Sequence, residues 1–83
     1  MRMDEGYILS NKFRKAIFQE IVSGENDVKT IAKKHRILPK IAENIIQDLV
    51  NGKLLEEKNG KYILTREGEK IATKLKMQEK IGT

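Results

Sequence analysis

The chain contains no cysteine and no tryptophan, a single proline and a single histidine, and only two tyrosines and two phenylalanines. Without cysteine there is no disulfide and no thiolate metal site, and the lone His35 has no second imidazole with which to complete a ligand set. So few rings cannot build a base-stacking platform for single strands or an aromatic ligand pocket, and neither a cofactor nor a small-molecule ligand is expected. Apolar runs are no longer than AIF or YIL, far too short to span a bilayer, and the opening MRMDEGYIL has acids where a secretory leader is apolar. A cytoplasmic, non-membrane protein is expected. Catalysis also lacks its parts. There is no Gly-rich phosphate loop, the hydroxyl residues fall at caps and turns, and Glu56 and Glu57, adjacent on a strand, point to opposite faces. No enzyme is expected.

What the chain does have is charge. Of 83 residues, 35% are charged and the net balance is +5, which favours a polyanionic partner. Its length leaves room for one domain, residues 1–83, with a small core that buries about 60 to 65% of the unfolded surface. Residues 27–37 carry Lys29, Lys33, Lys34 and Arg36 against Asp27 alone, whereas residues 38–52 carry Lys40 against Glu43 and Asp48. The basic excess therefore flanks the segment PKIAENIIQDLVNGKL instead of lying on it.

Helical periodicity and its punctuation predict four helices and a hairpin. A first helix over about 10–23, capped by Ser10 or Asn11, places Phe13, Ala16, Ile17, Ile21 and Val22 on one face and stops at Ser23-Gly24. The preceding YILS reads as an apolar extended stretch that ends in a cap. Asp27 caps a second helix, about 27–36, with Val28, Ile31, Ala32 and His35 inward and Lys29, Lys33 and Arg36 outward. Leu38 precedes Pro39, which suits the first position of a third helix, about 39–51. Two helices so closely spaced make a sharp helix-turn-helix. On the third helix, Ile41, Ala42, Ile45, Ile46, Leu49 and Val50 fill one half of the wheel; Lys40, Glu43, Asn44, Gln47, Asp48 and Asn51 fill the other. LLEEKNGKYILT is then a hairpin over about 54–65 turning at Asn59-Gly60. Thr65 caps a last helix, about 66–80, with Ile71, Ala72 and Leu75 inward. The fold class is mainly α with a small β-hairpin.

The stretch IAKKHRILPKIAENIIQDLVNGKLLEE, followed by NGK at the hairpin and LTREGEKIA, resembles the small archaeal winged helix-turn-helix proteins related to MarR-type and ArsR-type transcriptional regulators. It departs from their pattern in having Arg36 where the turn usually holds glycine or a small residue. The resemblance implies a three-helix core with a wing and a C-terminal helix, and double-stranded DNA as the partner. The second helix would cross the backbone and the third would enter the major groove.

On that reading Lys40, Ile41, Glu43, Asn44 and Gln47 are the candidate base contacts. Asn and Gln pair with adenine, Lys reaches guanine, Glu accepts from the cytosine amino group, and Ile41 meets a thymine methyl. Lys12, Arg14 and Lys15 on the first helix, Lys29, Lys33 and Arg36 on the second, and Lys58 and Lys61 on the wing are the candidate phosphate contacts. Met77 and Ile81, four apart on the last helix and off its inner stripe, are the candidate contact of a homodimer. Glu43 and Asp48 on the recognition helix support a different class of function, a winged helix that docks a protein partner.

Overall fold

Free backbone amides decide where each helix begins. The computed structural model describes residues 4–81, with side chains through residue 77. It contains α1 (Glu5–Leu9), α2 (Lys12–Val22), α3 (Val28–His35), α4 (Pro39–Asn51), the antiparallel strands β1 (Leu55–Lys58) and β2 (Lys61–Leu64), and α5 (Arg66–Ile81). The Asn11 carboxamide oxygen accepts from the Phe13 and Arg14 amides, Asp27 from Lys29, and Thr65 Oγ1 from Gly68 at 3.1 Å. Only α4 lacks a side-chain cap. Leu38 precedes it, and Pro39 at its first turn removes one of the amides that would need a partner.

The helix α1 corrects the sequence reading. Tyr7, Ile8 and Leu9 are helical, not extended, because Asp4 takes the Tyr7 amide at 3.1 Å and opens a separate turn. The first predicted helix, about 10–23, is α2, and α1 is an additional helix before it, divided from it at Ser10 and Asn11. Arg14 fastens them together. Its guanidinium stacks 3.8 Å from the centre of the Tyr7 ring and donates to the Tyr7 carbonyl at 2.7 Å and to Ser10 Oγ at 3.0 Å.

Three helices end in the same way. The amides of Glu25, Ile37 and Leu54 reach back to the carbonyls of Glu20, Ala32 and Leu49, and a left-handed residue precedes each of them. Glycine fills that position only once, at Gly24 with φ 106°; Arg36 and Lys53 adopt φ 55° and 65° in the other two. The glycine nearest the end of α4, Gly52, has an ordinary φ of −80°. An L-residue there carries a cost of about 1–2 kcal/mol, offset by the apolar residue that the motif turns inward. Ile37 and Leu54 are that residue, 4% and 2% exposed.

The core gathers Ile8, Ile17, Phe18, Ile31, Ala42, Ile46, Leu49, Leu55 and the α5 stripe Ile71, Ala72 and Leu75. Phe18, fully buried, anchors it in place of the half-buried Phe13. On α4 the packed stripe is narrower than the wheel suggests. Ala42, Ile46 and Leu49 are buried, Ile45 and Val50 are half-buried, and Ile41 is 40% exposed. The hairpin pairs Leu55 with Leu64 and Lys58 with Lys61, so Leu55 and Leu64 face the core and two cations oppose each other beside the turn. Among the described residues no helix is long and apolar enough to cross a membrane.

Candidate nucleic-acid interface

The Tyr62 amide donates to the Asn26 carbonyl at 3.3 Å, and this bond sets the wing beside the start of α3. A cleft of about 380 Å³ lies where α3, α4 and the wing turn meet. Asp27 and Lys29 come from α3 and its cap, Glu43, Asn44 and Gln47 from the outer face of α4, and Gly60 and Tyr62 from the wing. Four of the predicted contact residues, Lys29, Glu43, Asn44 and Gln47, therefore share one concave surface. Lys40 and Ile41 lie exposed at the start of the same helix, outside the cleft.

Burial raises the Tyr62 phenol above its ordinary 10.0, and the carboxylates of Glu57 and Glu43 raise it further. Glu43 thus acts across the cleft on the wing. Asp27 is occupied as a cap, accepting from the Lys29 amide at 3.2 Å and the Thr30 hydroxyl at 2.9 Å. Asn44 and Gln47, both exposed, supply amide donors and acceptors to this surface. Sequence reading assigned Asp27 a capping role alone and did not single out Tyr62. The alternation along β2, in which Tyr62 shares a face with Leu64, was the available signal for the tyrosine.

The candidate phosphate contacts separate into two groups. Lys29, Lys33, Arg36 and Lys61, like Lys40, are exposed and form no ion pair with a described residue. Lys58 has a loose partner in Glu56 at 3.7 Å. Lys58 and Lys61 are opposed in the hairpin register, where like charges repel. On α2, Arg14 is committed to Tyr7 and Ser10, Lys15 is half-buried, and exposed Lys12 rests 5.4 Å from the Phe13 ring centre. Met77 is 58% exposed, while the side chain of Ile81 lies outside the described residues.

Sequence reading gave His35 a packing role, and its partner is polar. His35 Nε2 lies 2.7 Å from Glu20 Oε2, which also receives Lys34 Nζ at 3.0 Å. The Glu20 side chain is only 15% exposed, so this cluster locks the last turn of α3 onto α2 and takes Lys34 out of the basic face. Hydrogen bonds from His35 first and Lys34 second hold the Glu20 carboxyl below its ordinary 4.5, against the opposing effect of burial. A carboxyl with a lowered folded pKa adds stability above its unfolded pKa and loses it as pH falls through the folded value. Glu20→Gln is expected to cost on the order of 1 kcal/mol at neutral pH. It should also flatten the fall in stability between about pH 5 and pH 3, measured by urea unfolding across pH. An unchanged acid limb would mean that Glu20 does not carry it.

A family model for the winged helix-turn-helix matches residues 10–82. No curated protein and no solved structure matches the chain. The family match runs through α2, the α3–α4 pair, the hairpin and α5, and the chain therefore belongs to the winged helix-turn-helix family.

Proposed function

We propose that this chain binds double-stranded DNA as a cytoplasmic transcriptional regulator of the MarR-type and ArsR-type kind. In this reading α4 enters the major groove while α3 and the wing rest on flanking phosphates. The observation that carries it is the shared cleft, where Lys29, Glu43, Asn44 and Gln47 meet the wing turn. Exposed Lys33, Arg36 and Lys61 lie on the same elements. Asn44 and Gln47 pair with adenine, Glu43 accepts from cytosine, and Lys40 reaches guanine or a phosphate at the mouth of the groove. Lys12, Lys15 and Lys58 add backbone contacts, and Arg14 contributes least because its Nη1 already serves Tyr7 and Ser10 and its guanidinium stacks on the Tyr7 ring. Met77 and Ile81 on α5 join two copies, so that paired recognition helices sit about 34 Å apart, one duplex turn.

Fluorescence anisotropy of a 25-base-pair duplex, titrated across a salt series, tests this reading. About six phosphate contacts give log K against log salt a slope near −5, because each neutralised phosphate releases counterions. The saturation point should be two chains per duplex. Absence of binding even at low salt would overturn the proposal and point to a protein partner docked through Glu43 and Asp48 on α4.

A further inference from the structure

We infer that Leu38 and Ile41 form an apolar patch that reads the 5-methyl group of thymine, giving the recognition helix a preference for particular T·A pairs. The inference rests on the DNA-binding reading above. Leu38 is 67% exposed, more than any other large hydrophobic residue described, and Ile41 is 40% exposed one turn on. Leu38 neither packs nor caps. Its neighbour Ile37 takes the core position at 4% exposure, and no side chain bonds the free amides at the start of α4. Serine, threonine, asparagine or aspartate would stabilise the helix at this position, so leucine is unfavourable by both local propensity and burial. Rules broken together in this way mark functional positions.

The surroundings identify what would cover the patch. Arg36 precedes it in the chain, and Lys40 lies on the adjoining outer face of α4, about 100° around the helix from Ile41. Both are exposed, and neither forms an ion pair with a described residue. The acids lie elsewhere on α4. Glu43 sits roughly 160° around the helix from Ile41, in the wing cleft, and Asp48, although on the stripe of Ile41, is two turns or about 10 Å further along the axis. An exposed apolar pair flanked in the chain by two cations, with the acids across the helix or two turns away, fits a polyanion that carries methyl groups. On the major-groove edge of unmodified DNA, the thymine methyl is the one apolar group. Phosphates then meet Arg36 and Lys40 while the methyl enters between Leu38 and Ile41.

Replacing thymine by deoxyuridine in an A·T-containing 25-base-pair duplex deletes the methyl and keeps every hydrogen-bonding group. The dissociation constant should rise about three- to fourfold for each methyl contacted, with the salt slope unchanged. The Leu38→Ser, Ile41→Ser double variant should bind the thymine and uracil duplexes equally, on the slope of the parent. Serine at position 38 supplies the missing cap, so circular dichroism should show α4 intact. Equal binding of the two duplexes by the parent protein would overturn the inference and leave DNA binding standing. The same would follow if the double variant kept the parent's discrimination, which would then come from duplex shape. Failure to bind either duplex would overturn the DNA-binding reading itself.

Discussion

Gly68→Ala is expected to destabilise the chain by about 3 kcal/mol and lower its unfolding midpoint by roughly 10–20 °C, a large fraction of what a domain this small possesses. Gly68 lies in the first turn of α5, buried against the end of the α4–β1 connection. A Cβ built there would sit 2.2 Å from the Leu54 carbonyl oxygen, 3.2 Å from the Leu54 carbonyl carbon and 3.2 Å from Leu64 Cδ2. The first two contacts are backbone and cannot swing away. Relief would require α5 to lift, and that would break the bonds that seat it. Thr65 N donates to the Leu54 carbonyl at 3.1 Å, the Thr65 hydroxyl donates to the Lys53 carbonyl, and the Gly68 amide donates to Thr65 Oγ1 at 3.1 Å. Alanine's higher helix propensity returns only about 0.5–1 kcal/mol, too little to compensate. Thermal unfolding of Gly68→Ala beside Glu69→Ala, an exposed neighbour expected to change stability by less than about 0.5 kcal/mol, checks this. Equal midpoints for the two variants would show that α5 is not clamped at Leu54.

The combined variant Lys29→Ala, Lys33→Ala, Arg36→Gly is expected to weaken duplex binding several hundredfold at about 0.1 M salt and to make the salt slope shallower by about 3. Each of the three cations is exposed and unpaired with any described residue, so each is available to displace counterions from a phosphate. The fold should tolerate their removal. Losing Lys29 from the first turn of α3 relieves an unfavourable meeting with the helix dipole, and losing Lys33 from the last turn costs a similar few tenths of a kcal/mol. Glycine suits the left-handed backbone of position 36 better than arginine does. A variant that keeps both its midpoint and full affinity would place the phosphate contacts elsewhere, on the wing or on α2.

Where the cause of structure is local, the amino-acid order reveals it. Asn11, Asp27 and Thr65 cap helices because a short polar side chain reaches the amides two or three residues on. Pro39 opens α4 because its fixed φ and missing amide suit that position. Asn59-Gly60 turns the hairpin because both residues accept positive φ, 53° and 78°. The same logic failed at α1, where the acid that caps it lies inside a charged opening segment and competes with an extended reading of YILS.

What tertiary structure alone decided was distance between parts remote in the chain. Gly68 reads as a weak point in a helix until Leu54 is seen against it, and the need for glycine there comes from backbone approach across 14 positions. His35 reads as packing until Glu20, 15 positions earlier, is found beneath it. Leu38 and Ile41 belong to an apolar pattern, but only the folded core shows that Ile37, Ala42, Ile46 and Leu49 leave no room for them. Lys29, Glu43, Asn44, Gln47 and Gly60 became one surface because the Tyr62–Asn26 bond and the buried Leu55 set the wing beside α3 and α4. Caps, turns and periodicity act over a few residues and are written in order. Packing and exposure are set by which helix faces compete for one small core, and that competition is resolved only when the chain closes on itself.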